Sequence, residues 1–107
     1  MIPLLYILLA YVTGGFHSDI ISKETYEIIE KTKPEMASFL DEMGFNGMQK
    51  DFEAQEVMSK VVNGMYRAVR VKIIDTDASA CFMIYTSLKG TSNVEKGKIC
   101  QSIIEII

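Results

Sequence analysis

The chain has 107 residues and a mass of 12.0 kDa, the size of a single domain. Its 49% hydrophobic and 23% charged content excludes a disordered chain, and a net charge of −3 argues against a general phosphate-binding face for nucleic acid. Two cysteines, one histidine and no Cys-x-x-Cys are too few ligands for a zinc site of the usual kind, and no apolar run reaches the ~20 residues of a stable membrane span.

Met1 to Gly14 carries no charged side chain, and Ile2 to Val12 is apolar apart from Pro3. Val12-Thr13-Gly14 supplies small residues of the kind a signal peptidase cuts beside. Residues 1–14 are therefore predicted to be a signal peptide and residues 15–107 a mature, secreted domain. If the segment is retained, it reads as a buried N-terminal strand of a cytoplasmic protein.

From Ser22 to Met43 the apolar positions Tyr26, Ile29, Met36, Leu40 and Met43 recur at spacings of three, four and seven, which predicts a helix. Lys23, Glu27, Glu30, Lys31 and Glu35 fall mostly outside that stripe and read as a solvated face. Ser22 is the expected N-cap, with Glu24 favourably placed at the positive end of the helix dipole. Pro34 predicts a kink or an early stop, and Gly44 and Gly47 end the pattern.

Beyond Phe52 the period changes to two. Val69, Val71 and Ile73 alternate with Ala68, Arg70 and Lys72, as in a strand with one buried face. Phe82, Ile84 and Thr86 alternate with Cys81, Met83 and Tyr85 in the same way, and Ile99 to Ile107 is also strand-like. Asn63-Gly64 is a tight-hairpin signal, since both residues tolerate positive φ. Asp75-Thr76-Asp77 and Lys89-Gly90-Thr91 mark two further turns. The order predicts an α+β domain, one helix on three or four hairpin-linked antiparallel strands.

These segments, in this order, resemble the cystatins. Gly14-Gly15-Phe16 and the helix from Glu24 to Pro34 look like the glycine-bearing start and first helix of a stefin. Lys60-Val61-Val62-Asn63-Gly64 resembles the family's Gln-x-Val-x-Gly hairpin, with Lys60 in place of Gln. Cys81-Phe82-Met83-Ile84-Tyr85 and Cys100-Gln101 resemble the last disulfide region of the secreted members. The second hairpin, Leu88-Lys89-Gly90-Thr91, has neither their Pro-Trp nor the Leu-Pro-Gly of stefins.

The resemblance implies a cystatin-like α+β fold, one long helix packed on an antiparallel sheet of four to five strands. It also implies a monomeric, reversible, tight-binding inhibitor of papain-like cysteine proteases of the cathepsin type, with no cofactor, no catalytic residue and no metal. Gly14, Gly15, Lys60, Val61, Val62, Asn63, Gly64, Leu88, Lys89 and Gly90 would form the wedge that fills the protease cleft. The alternative is a secreted, non-inhibitory binding or signalling module of the same fold.

Read without the resemblance, Val61-Val62 is the end of a buried strand, Asn63-Gly64 a connecting turn, Leu88 to Thr91 a solvated turn, and Gly14-Gly15 a cleavage site. Cys81 and Cys100 are one bridge in a secreted chain or two buried thiols in a cytosolic one. A cysteine nucleophile paired with His17 lacks an evident orienting residue. The methionines read as core filler.

Overall fold

The computed structural model describes residues 14–45 and 51–107. Residues 1–13 of the expected signal peptide and the expected helix stop at Gly47 lie outside the described residues. Strand β1 (His17–Asp19) leads into helix α1 (Lys23–Glu42). Four strands follow: β2 (Phe52–Val62), β3 (Gly64–Ile73), β4 (Ser79–Thr86) and β5 (Ser92–Ile99). A short 3-10 helix, Ile103–Ile106, closes the chain. The five strands form one antiparallel sheet in the order β1-β2-β3-β4-β5, so each strand pairs with its neighbours in sequence.

Helix α1 begins where the sequence places it. The Ser22 hydroxyl accepts from the Thr25 amide at 3.2 Å, satisfying one of the free donors of the first turn. It ends in a Schellman motif: Gly44 N–H donates to the Asp41 carbonyl and Phe45 N–H to the Leu40 carbonyl. The helix runs on through Pro34, so the early stop expected there does not occur, and Tyr26 and Met43 are exposed rather than buried.

The buried face is Thr25, Ile28, Ile29, Thr32, Met36, Ala37 and Leu40. Hydropathy conceals two of these because they are threonines. The Thr32 hydroxyl donates to the Ile28 carbonyl at 2.8 Å, which lets a polar side chain sit on the apolar face. Packing of this stripe against the sheet on both sides of Pro34 holds the helix together despite the missing amide donor. The stripe closes over Val57, Val69, Val71, Ile73, Phe82, Ile84 and Val94, the principal core.

The opposite face of the sheet is covered too. Phe16, Met58, Ala68, Cys81 and Met83 pack beneath Cys100, Ile103 and Ile106, so the middle of β3 is buried on both faces rather than one. The chain end does this as a 3-10 helix, which corrects the expected strand over Ile99 to Ile107. Ser102 and Glu105 form a capping box, and Ile103 and Ile106, one 3-10 turn apart, both point inward. The Ser102 and then the Gln101 amides, donating to the Glu105 carboxylate, hold its pKa below the ordinary value.

Hydropathy overlooked two strands, the exposed β1 and the edge strand β5, whose buried residue is Val94. Its register against β4 shifts between Met83 and Ile84, and there the Val94 amide donates to the Glu35 carboxylate on α1. Glu35 is therefore not simply part of a solvated face. It fixes the helix to the edge strand.

Candidate functional site

Three segments that the sequence reading singled out lie side by side along one end of the sheet. Strand β1 begins with His17 opposite Ser59, which brings Gly14 and Gly15 alongside the end of β2. A Cβ built on Gly15 would lie 3.7 Å from Cε of Lys60, and the Lys60 ammonium sits 6.0 Å from the Phe16 ring centroid. The β2–β3 hairpin comes next. Val61 pairs with Met65, Val62 pairs with Gly64, and Asn63 is the apex. Met65 in turn lies opposite Thr86, so the β4–β5 turn rises next to the first hairpin.

Side chains at these tips face solvent. Val61 is 75% exposed, Val62 40% and Leu88 79%. Loop tips are ordinarily polar, and aliphatic side chains gathered at adjacent tips form an exposed apolar ridge.

The ridge is braced from behind. Of the two hairpin residues expected to tolerate positive φ, only Gly64 adopts it, at +110°. The Tyr85 hydroxyl donates to the Asn63 carbonyl and its ring packs on Tyr66 with centroids 5.0 Å apart. A Cβ on Gly64 would lie 2.6 Å from both the Thr86 carbonyl oxygen and the Tyr85 hydroxyl, so this position admits only glycine without movement of its surroundings.

On the helix side, the buried Arg67 guanidinium donates to the Thr86 hydroxyl at 3.2 Å and meets the Glu24 carboxylate at 3.4 Å. The Thr86 hydroxyl also lies 2.8 Å from that of Ser92. Arg67 thus joins the helix N-terminus, β3 and the root of the second turn. That turn closes with Gly90 N–H donating to Ser87 O and Ser87 N–H donating to Thr91 O, both at 2.9 Å.

The bracing contacts of Tyr85, Arg67 and Phe16 escaped the sequence reading. Each residue acts through a cross-strand or helix–sheet contact that residue spacing alone does not show. The Tyr85 alternation along β4 was readable, but its reach to Asn63 was not.

Cys81 and Cys100 are joined as a disulfide with a Cα–Cα distance of 5.8 Å, tying β4 to the residue that follows β5. Both sulfurs are spent in that bond, so neither is a nucleophile for the exposed His17 of β1. A hollow of about 420 Å³ lies behind the ridge on the sheet's outer face, lined in part by Phe16, Lys60, Tyr66, Met83 and Lys96. Among the described residues no group of three His, Cys, Asp or Glu side chains gathers to hold a metal ion, and no helix is long and apolar enough to cross a membrane. The arrangement is suited to insertion by shape and apolar contact.

No family model matches this chain, and neither a curated protein nor a solved structure does.

Proposed function

We propose that this protein is a cystatin-like, reversible inhibitor of papain-like cysteine proteases, acting outside the cell. The observation that carries the reading is the apolar ridge: Val61, Val62 and Leu88 stand exposed on two braced hairpins beside the Gly14-Gly15 segment. A ridge already held in one shape loses little conformational entropy on docking, which favours tight binding. The helix-on-five-strand architecture is compatible with the cystatin fold, and the Cys81–Cys100 bridge is compatible with secretion.

A second reading is a secreted binding or signalling module of the same fold without inhibitory activity. It is favoured by Lys60, which stands where the family has Gln and leans back over the Phe16 ring. The Leu88 turn, with a single aliphatic side chain and no aromatic anchor, points the same way.

Titration of papain or a cathepsin with the purified protein separates the two. Under the inhibitor reading, Val62→Asp places an unpaired charge in a desolvated interface, a cost of several kcal/mol. At about 1.4 kcal/mol per tenfold, inhibition falls at least ~100-fold. Lys60→Gln restores the residue of the family motif and leaves the dissociation rate unchanged or slower. Equal inhibition by wild type and Val62→Asp, with both folded by circular dichroism, rules out the ridge as the contact. Failure of the wild type to inhibit either protease favours the second reading.

A further inference from the structure

The charge of this molecule is unevenly spread along the strands. The whole chain has fourteen acidic and eleven basic residues, yet none of residues 14–18, 60–65 or 86–92 is Asp or Glu. The same segments carry Lys60, Lys89 and His17. Neither lysine forms an ion pair among the described residues; Lys60 lies over the Phe16 ring and shares the hollow behind the ridge with Lys96 and Glu95. The carboxylates nearest the tips, Asp19, Glu24 and Glu95, are set back from them. Asp19 accepts from the Ser59 hydroxyl and the Ile20 amide, and Glu24 meets Arg67.

At the other end of the sheet Asp75 and Asp77 lie in the β3–β4 turn, and Asp51, paired with Lys33, directly precedes β2. The ten residues of β3 span roughly 30 Å between the two ends at the usual rise per residue. An acidic protein thus presents, among the described residues, an exposed aliphatic ridge on tips that carry lysines and no Asp or Glu.

Resting on the inhibitor reading, we infer that the partner is a papain-like protease whose cleft is apolar at its floor and lined with carboxylates at its rim. The rim lysines steer the ridge into such a cleft and disfavour proteases with basic rims. Charges at the rim of an interface act mainly on the association rate and its salt dependence, whereas the apolar contact sets the dissociation rate. An anionic membrane would attract the same lysines, but two of them contribute only about 1 kcal/mol each, too little for stable anchoring by a narrow ridge.

The experiment measures association and dissociation rates for wild type, Lys60→Gln/Lys89→Gln and Lys60→Glu/Lys89→Glu. Two papain-like proteases are used, one with an acidic and one with a basic cleft rim, each at low and high salt. Against the acidic-rimmed protease the Glu variant should associate about 10-fold or more slowly at low salt, with the Gln variant between. The difference should shrink as added salt shortens the screening length, and dissociation should change little. Against the basic-rimmed protease the Glu variant should associate faster than wild type.

Inhibition of both proteases with rates indifferent to salt and to charge reversal overturns this inference while leaving the inhibitor reading intact. Failure of the wild type to inhibit either protease overturns both. Co-sedimentation of wild type with phosphatidylserine vesicles, lost in the Glu variant and unaccompanied by inhibition, reassigns the ridge to a membrane and also overturns the proposal.

Discussion

Gly64 offers the sharpest test of how the ridge is built. Replacing it with alanine incurs two penalties that separate cleanly. The first is conformational: φ is +110°, a region that costs an L-residue about 1–2 kcal/mol. The second is steric. The new Cβ would lie 2.6 Å from the Thr86 carbonyl oxygen, 2.6 Å from the Tyr85 hydroxyl and 2.9 Å from Cζ of that ring. One of these neighbours is backbone and the other is held by its bond to Asn63, so relief requires the two hairpins to part. Overpacking of this kind costs about 1–3 kcal/mol.

Together the penalties amount to roughly 2–5 kcal/mol. For a domain of about 100 residues that lowers the melting temperature by roughly 10–25 °C. Gly90→Ala is the matched control, because Gly90 has φ +89° but nothing within 4 Å of its would-be Cβ. It should lose only the conformational part, about 1–2 kcal/mol. Thermal unfolding followed by circular dichroism gives both numbers. In a Tyr85→Ala background the loss from Gly64→Ala should shrink, a coupling that a double-mutant cycle reads directly. Equal losses for Gly64→Ala and Gly90→Ala would refute the close packing of the two hairpins.

Pro34→Ala should raise stability by about 1–3 kcal/mol, because it restores an amide donor inside an unbroken helix; an unchanged or lower melting temperature counts against the continuity of α1. Cys81→Ala/Cys100→Ala should cost about 3 kcal/mol in urea denaturation, from a loop closed over a separation of 19 residues, and a loss near zero would contradict the bridge. The carboxyl of Glu105 has its pKa lowered in the folded state by the Ser102 and Gln101 amides, so its stabilising contribution is present above the ordinary carboxylate pKa and fades as pH falls through the lowered folded value. Protection factors of the amides at residues 101–107, corrected for the intrinsic exchange rate, should therefore fall in acid, and that acid dependence should flatten in Glu105→Gln.

Local signals in the sequence were enough for much of the fold. Ser22 caps α1, Gly44 helps to end it, the alternation of Val69, Val71 and Ile73 marks β3, and Asp75-Thr76-Asp77 is a turn, with Asp75 at φ +66°. Each rests on residues within a few positions of one another, which is why spacing alone exposes it. Ser102-Ile103-Ile104-Glu105 was equally readable as a capping box, but its apolar content drew it toward a strand. Strand β5 was hidden because an edge strand with Lys96 and Lys98 on it carries little hydrophobic pattern.

Tertiary structure decided what no spacing could. The burial of Thr25 and Thr32 depends on the sheet beneath them, and the task of Glu35 depends on a Val94 amide 59 positions away. The sequence singled out Gly14-Gly15, Val61 to Gly64 and Leu88 to Gly90 as separate segments. Antiparallel pairing of β1 with β2 and of β3 with β4 brings them to one end, because register carries His17 to Ser59 and Met65 to Thr86. Hydrophobic patterning specifies which face of each strand is buried, whereas the cross-strand register that aligns the tips is fixed only when the strands meet.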